Sequence, residues 1–290
     1  MNRIVYMLSI AFVLTFNYEY TFGQEIVPLY MDSGSVSVQR PTLEVYLPSK
    51  TTSTGTSVII FPGGAYAFLA YAEEGTAIAK SFAQKGITAF VLKYRLPTNL
   101  NSTDKKYAPL MDAQQSIKLV RTNASKWNID PNKIGVVGFS AGGHLASTLG
   151  THFSKNYVPN PEGISLRPDF MILVYPVISM EAGVTHLGSR LSLLGKTPTE
   201  NEIWTFSSEK QVSFDTPPTY LTHTGDDKIV SVDNSIEMYK ALVNNNIPAE
   251  MHLFPKGNHG FIQRLPVNEW LDPMLTWLQK GGFYTKPVSK

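Results

Sequence analysis

Cysteine is absent from the 290 residues of this chain. Disulfide bonds, thiolate nucleophiles and cysteine-ligated metal sites are therefore excluded. Charge is also sparse, because 17% of the residues are charged and the formal net charge is only +2. Since no long basic run occurs, there is no electrostatic basis for nucleic-acid binding. Any chemistry must come from other residue types.

Long apolar runs are equally scarce, and the one that stands out lies at the N-terminus. It extends from Ile4 to about Phe16, follows Arg3 and precedes the small residue Gly23. This layout is typical of a secretory signal peptide, and the run is short for a membrane span. We therefore predict a signal peptide over residues 1–23 and a secreted or periplasmic protein, with an uncleaved membrane anchor as the alternative. No cysteine follows the run, so lipid attachment is not expected.

The remainder, residues 24–290, has the size and apolar content of a single α/β domain. Strands are predicted at 43–48, 57–61, 87–92, 133–139, 169–176, 219–224 and 249–254. Helices are predicted at 74–85, 110–124, 141–150, 233–244 and 270–278. Such alternation indicates a mostly parallel sheet with helices on both faces. Residues 179–216 break the alternation and are predicted to form an insertion over one end of the sheet.

The segment VVGFSAGGHLA, residues 136–146, places Ser140 between an apolar strand and a helix. G-x-S-x-G at such a junction is the pattern of a nucleophile elbow, in which the serine occupies a strained turn and the glycines leave room for it. An ordinary glycine-rich turn is the alternative. The strand before it and the helix after it favour the elbow.

A serine hydroxyl needs a base, and one of the six histidines suits that role best. His259 lies in a glycine-flanked loop, FPKGNHGF, after the last predicted strand, from which it can reach over the sheet. The other histidines lie in predicted helices or strands, beside them, or in the insertion: His144, His152, His186, His223 and His252. We therefore expect His259 to be the base.

The third member of such a triad is an acid between the serine and the histidine in chain order. Asp226 and Asp227 are adjacent in the loop after the strand at 219–224, and either could orient the histidine or cap the next turn.

The oxyanion formed by attack on an ester needs preset N–H donors. The backbone of Ala141, directly after the serine, is one candidate. The loop in SVIIFPGGAYAF supplies the others, the N–H groups of Gly64 and Ala65.

Taken together, six segments resemble the bacterial α/β-hydrolase esterases that act on plant cell-wall polysaccharides, the BD-FAE type. They are FPGGAY, EEGTAIAKSFAQKGITAFVLKYRL, IGVVGFSAGGHLAS, HLGSRLSLLG, TPPTYLTHTGDD and FPKGNHGF, within roughly residues 40–280. That group includes acetyl xylan esterases and feruloyl-esterase-like proteins. The resemblance implies an α/β-hydrolase fold, no cofactor or metal, and a Ser140, Asp227 and His259 triad. Asp227 is preferred to Asp226 because the spacing H-x-x-x-D-x-x-V is similar to the acid loop of that superfamily.

Two positions depart from the family pattern. Ala65 replaces the third glycine of P-G-G-G-Y, and Ser231 replaces the proline of the acid loop. Neither change removes a reacting group. Glu74 and Asp112 also match family positions, and we expect structural caps or ion pairs there.

Substrate contacts are expected from the insertion and from the glycine-rich loop. The segment HLGSRLSLLG is similar to a family segment near the substrate entrance, which nominates His186, Ser189 and Arg190. Alternatively, these three are polar residues on the surface with no contact to substrate. Trp204 could stack on a sugar face or only pin the insertion. Tyr66 follows the oxyanion donors and could line or narrow the pocket.

The expected function is a secreted serine esterase that removes small acyl groups, most simply acetyl, from xylan-type polysaccharide through an acyl-enzyme. Its partner is then an acylated oligosaccharide or polysaccharide, and the oligomeric state is not specified by the sequence. The alternatives are a feruloyl or general carboxylesterase, a serine peptidase of the prolyl-oligopeptidase type, and a non-catalytic binding module. A metal-dependent deacetylase is disfavoured, because no two histidines lie at ligand spacing beside a carboxylate.

Overall fold

A computed structural model describes residues 25–30, 40–101 and 104–287. The predicted signal peptide, residues 1–23, lies outside the described residues. Within them, no helix has both the length and the apolar character needed to span a bilayer.

Eight strands form one sheet. They are β1 (Glu25–Pro28), β2 (Thr42–Tyr46), β3 (Ser57–Phe61), β4 (Thr88–Lys93), β5 (Ile134–Phe139), β6 (Met171–Val174), β7 (Thr219–Thr224) and β8 (Ala249–Phe254). Their order across the sheet is β1-β2-β4-β3-β5-β6-β7-β8. The first two strands pair antiparallel, and the other six run parallel.

Seven α-helices accompany the sheet in the described residues. They are α1 (Ala77–Gln84), α2 (Ala108–Thr122), α3 (Ala141–His152), α4 (Leu187–Leu194), α5 (Glu200–Phe206), α6 (Asp233–Asn244) and α7 (Val267–Lys280). A π-helix, Tyr71–Thr76, runs directly into α1, so the helix predicted at 74–85 begins three residues early.

The apolar residues of the central strands divide between two cores, as the twofold alternation of a strand requires. Ile59 and Phe61 of β3 join a cluster that includes residues of α2, α3 and α6. Val58 and Ile60 of the same strand join a second cluster with α1 and α7. Helices therefore cover both faces, as predicted. In open α/β sheets, ligands bind at the carboxyl ends of the parallel strands. This end of the sheet is therefore the expected location of the site.

The insertion at 179–216 contains the two short helices α4 and α5, and its other residues lie mostly in turns and irregular segments. A capping box between Thr199 and Glu202 begins α5. The end of the insertion is tied to α3, since Ser147 donates to the hydroxyl of Ser208 at 2.9 Å. The insertion is thereby fixed to the helix that follows Ser140.

Candidate active site

Ser140 occupies the turn between β5 and α3 with φ 53° and ψ −118°. That backbone conformation is sparsely populated for a residue with a side chain and costs on the order of 1–3 kcal/mol. The two glycines of the motif permit it. A Cβ atom on Gly138 would clash with the carbonyl oxygen of Gly142, and one on Gly142 would clash with the carbonyl oxygen of Phe61. The glycines are required because backbone approaches backbone on both sides of the serine.

Three side chains from separate loops meet at this turn. The Nε2 atom of His259 lies 3.0 Å from Oγ of Ser140. On the other side of the ring, Nδ1 of His259 lies 2.8 Å from Oδ2 of Asp227. Because a carboxylate only accepts, Nδ1 carries the proton, and Nε2 is left to accept from the serine hydroxyl.

The side chain of Asp227 is fully buried, and four N–H groups converge on its carboxylate. Oδ2 accepts from His259 and, at 3.2 Å, from Nε2 of His223. Oδ1 accepts from the backbone of Ile229 at 2.9 Å and of Val230 at 3.0 Å. Burial opposes ionisation, but the hydrogen bonds from His223, His259 and Val230 outweigh it and hold the pKa of Asp227 well below its ordinary value.

Asp226 has a different role. It accepts the backbone N–H of Asn258 at 2.7 Å, and the Asn258 side chain in turn accepts the N–H of His259 at 2.8 Å. Asp226 therefore holds the loop that carries His259, whereas Asp227 contacts the imidazole.

His223 was expected only as a strand residue, and its contact with Asp227 escaped the sequence analysis. It is fully buried, and its Nε2 lies 3.2 Å from Asp227 and 3.0 Å from the carbonyl of Val230. Two acceptors at Nε2 require a proton there, so Nδ1 accepts from the hydroxyl of Ser235 at 2.8 Å. The H-x-x-x-D spacing of His223 and Asp227 is the feature of the sequence that could have indicated this contact.

The glycine loop, residues 62–70, lies beside Ser140. Gly64, Ala65 and Tyr66 all have positive φ angles, 118°, 54° and 60°. Successive N–H groups in such conformations form a concave donor surface for an anion. A Cβ on Gly63 would lie only 2.9 Å from Cβ of Ser140, which shows how closely the loop approaches the serine.

Backbone N–H groups that could donate to an oxyanion are available beside Ser140. Within the described residues, the backbone N–H groups of Gly64, Ala65 and Ala141 have no hydrogen-bond acceptor in range. Ala65 is the position where the family pattern has glycine, and its φ of 54° explains that preference.

The structure contradicts the expected substrate contact by Tyr66. Its side chain is 1% exposed and its hydroxyl donates to Nδ1 of His144 at 2.8 Å. Nε2 of His144 donates to the carbonyl of Phe206 at 2.7 Å. Burial lowers the pKa of His144 to about 4, although the bond to Phe206 opposes the shift. Tyr66 therefore joins the glycine loop to α3 and the insertion.

The residues expected to bind substrate in the insertion occupy different environments. His186 is half-buried at the start of α4, and burial together with the nearby His259 lowers its pKa. Ser189 is fully buried with its hydroxyl 2.9 Å from Nδ1 of His186, so its expected substrate contact is also contradicted. Arg190 donates to the carbonyl of Met180 at 2.8 Å. Of these side chains, His186 lies within electrostatic reach of the Ser140 site.

Trp204 is 52% exposed on α5. It borders a groove of about 480 Å³ whose other lining residues are Glu181, Glu200, Asn201 and Ile203. Ser140, Asp227 and His259 do not line this groove. A sugar contact by Trp204 stays a prediction.

Asp112 and Glu74, the two carboxylates that match family positions, differ in the partners they bind. Asp112 is fully buried and forms the expected ion pair, with Nη2 of Arg95 at 2.7 Å. Glu74 is 5% exposed and forms neither a helix cap nor an ion pair. Its oxygens instead accept the N–H of Gly63 at 2.7 Å and the hydroxyl of Tyr175 at 3.0 Å.

In the described part of the chain, no group of three or more histidine, aspartate or glutamate side chains is arranged to hold a metal ion.

The chain is similar to a known family and to several known proteins. The BD-FAE family model matches residues 43–242. The chain is 40% identical over 222 residues to endo-1,4-beta-xylanase B of Butyrivibrio fibrisolvens, an alignment that covers 76% of this chain and 34% of the relative. It is 36% identical over 220 residues to the acetylxylan esterase of Xylanibacter ruminicola, covering 74% of this chain and 42% of the relative. The chain thus spans less than half the length of these two relatives.

A solved structure gives a more complete match. The acetyl ester-xyloside bifunctional hydrolase from Caldicellulosiruptor lactoaceticus is 40% identical, with a TM-score of 0.81 and coverage of 90% of this chain and 97% of that chain. The sheet order, the serine turn and these matches confirm both the predicted fold and the predicted family. The chain belongs to the BD-FAE family of α/β-hydrolase carbohydrate esterases.

Proposed function

We propose that this protein is a serine esterase that removes acetyl groups from xylan-type polysaccharide. The observation that carries the proposal is the continuous hydrogen-bond path from Oγ of Ser140 through His259 to Asp227, with distances of 3.0 Å and 2.8 Å. Such a path activates a hydroxyl for attack on an acyl carbon.

In the first half of the reaction, Oγ of Ser140 attacks the ester carbonyl while Nε2 of His259 takes its proton. Asp227 keeps the proton of Nδ1 in place and stabilises the imidazolium. The N–H groups of Gly64, Ala65 and Ala141 donate to the oxyanion. The bond between the acyl carbon and the sugar oxygen then breaks, and His259 protonates that oxygen.

In the second half, water attacks the acyl-serine with His259 again as the base. Acetate leaves, and Oγ recovers its proton from the imidazolium. No cofactor takes part in this sequence of bond changes.

The choice of acetyl groups on xylan is supported by the relatives. The relative from Xylanibacter ruminicola is named an acetylxylan esterase, and the hydrolase from Caldicellulosiruptor lactoaceticus is named for two activities, on an acetyl ester and on a xyloside. The release of acetate and ferulate from defined xylo-oligosaccharide esters tests the choice, together with kcat/KM for 4-nitrophenyl acetate, 4-nitrophenyl butyrate and methyl ferulate. We expect acetate to be favoured. Faster turnover of ferulate would overturn the acetyl assignment and leave the role of Ser140 intact.

We also propose export, on the basis of residues 1–23 alone. N-terminal sequencing of the protein recovered outside the cytoplasm is expected to begin near Gln24. A mature protein that still begins at Met1 and sediments with membranes would instead support the anchor.

A further inference from the structure

Glu74 is buried beneath the glycine loop, and the mechanism above assigns it no part. It lies in the π-helix Tyr71–Thr76, a helix type that often occurs at functional sites. Gly75 lets this helix lie close to β4, because a Cβ there would lie only 2.8 Å from Cγ1 of Val91. The Glu74 carboxylate is thereby held under the end of β3.

One oxygen of Glu74 fixes the first peptide of the glycine loop. The N–H of Gly63 donates to Oε2 of Glu74 at 2.7 Å. The carbonyl of the same peptide, that of Pro62, accepts from the buried hydroxyl of Tyr94 at 2.7 Å. Both polar groups of this peptide unit are therefore held by buried side chains, one residue before the first proposed oxyanion donor.

The other oxygen of Glu74 fixes the ring that supports His259. Oε1 accepts the hydroxyl of Tyr175 at 3.0 Å. Tyr175 is fully buried, and its ring centroid lies 4.7 Å from that of His259 at an angle of 60°. Its φ angle of 36° is unusual for a tyrosine, so surrounding contacts must maintain it.

We propose that Glu74 is a positioning residue for acyl transfer, whose carboxylate sets the glycine loop and the His259 ring relative to Ser140. This inference rests on the proposed esterase function. Small displacements of such groups reduce the rate of the chemical step more than substrate binding. The loss of one oxyanion donor costs about 100- to 1,000-fold in kcat, which sets an upper bound for a residue acting indirectly.

The test compares Glu74→Ala, Glu74→Gln and Asp169→Asn. Asp169 is the matched control, because it also binds a backbone N–H, that of Ile134 at 2.8 Å, but at the opposite end of the strands. Each variant is assayed for kcat and KM with 4-nitrophenyl acetate, for thermal unfolding, and for the rate at which a fluorophosphonate labels Ser140. Labelling reports the nucleophile and the oxyanion donors without requiring turnover of any ester.

We expect Glu74→Ala to lower kcat and the labelling rate by roughly 10- to 100-fold while KM stays within about twofold. Glu74→Gln should recover part of this loss, since its amide can still accept from Gly63 and can donate to the oxygen of Tyr175. Asp169→Asn should lower only the unfolding temperature. Wild-type kcat and labelling in Glu74→Ala would overturn the proposal, as would a rise in KM with kcat unchanged.

Tyr175→Phe keeps the inference testable if both Glu74 variants fail to fold. It retains the ring against His259 and removes one hydrogen bond to Glu74, so slower labelling is expected and a wild-type rate would overturn the proposal. Failure of the esterase proposal is a separate result: wild-type protein would then label with fluorophosphonate but hydrolyse no acetyl ester.

Discussion

Replacing Asp227 with asparagine changes the hydrogen bonding of the site with little change in shape. Two N–H groups point at each carboxylate oxygen, those of Ile229 and Val230 at Oδ1 and those of His223 and His259 at Oδ2. An asparagine has one acceptor oxygen and one NH₂ group. In either orientation, the NH₂ group faces two donors.

Both orientations are costly. If the NH₂ group faces the backbone pair, the N–H of the fully buried Val230 loses its acceptor, whereas the exposed Ile229 can turn to water. The free energy of unfolding should then fall by about 1–3 kcal/mol. If the NH₂ group faces His259, Nδ1 must become an acceptor and the ring proton moves to Nε2. That tautomer cannot accept from Ser140. An equivalent change in another serine hydrolase lowers kcat about ten-thousandfold, and we expect a loss on that order here.

Steady-state kinetics with 4-nitrophenyl acetate measures the effect, with Asp226→Asn as the matched control. The amide oxygen in that control can still accept the N–H of Asn258. Since most surface substitutions change stability by no more than about 0.5 kcal/mol, we expect the kcat of this control to fall by less than about tenfold. Circular dichroism is used to check that each variant is folded. The reverse ranking, with Asp226→Asn the more damaged variant, would refute the assignment of Asp227.

Two further predictions concern the glycine loop and its support. Ala65 has a φ of 54°, a conformation that glycine adopts freely, so Ala65→Gly should leave kcat within about twofold of the wild-type value. Ala65→Val should instead lower the free energy of unfolding by about 1–3 kcal/mol, measured by thermal unfolding. Equal stability of the two variants would contradict the proposal that the backbone at Ala65 is strained. Burial lowers the pKa of His144 to about 4. Between that pH and the unfolded value of about 6.5, the unfolded chain binds the extra proton. Stability is therefore complete above about pH 6.5 and falls by about 3 kcal/mol as the pH drops toward 4. Urea unfolding across this range should show a loss that is about 3 kcal/mol larger in wild-type protein than in His144→Gln, which keeps the smaller contributions of His152 and His186.

Periodicity and motif spacing predict most of this sheet, because the central strands β3, β4 and β6 are buried and almost entirely apolar. Predicted bounds for β3, β7 and β8 agree with the structure, and β6 is shorter, Met171–Val174 instead of 169–176. The edge strand β1 was not predicted. It has four residues and exposed positions at both ends, so it lacks an apolar pattern.

Local patterns also predict the three side chains that meet at Ser140, since each follows a strand at the same edge of the sheet. The buried side chains beneath these three make contacts with residues that are distant in the sequence. Glu74 and Tyr175 are 101 residues apart, and Tyr66 and His144 are 78 apart. No spacing rule relates such pairs, so Tyr66 was expected to line or narrow the pocket and Glu74 to form a structural cap or an ion pair. Only the tertiary structure shows which buried partner each one has.

Ser140→Ala tests the central claim most directly. The variant keeps the backbone of the serine turn but removes the oxygen that lies 3.0 Å from His259. The measurement is acetate release from acetylated xylo-oligosaccharides by folded wild-type and variant protein at equal concentration. We predict that the variant loses about a millionfold in kcat, in line with the loss of a triad serine in other hydrolases. Release by the folded variant at more than a few per cent of the wild-type rate would contradict the account.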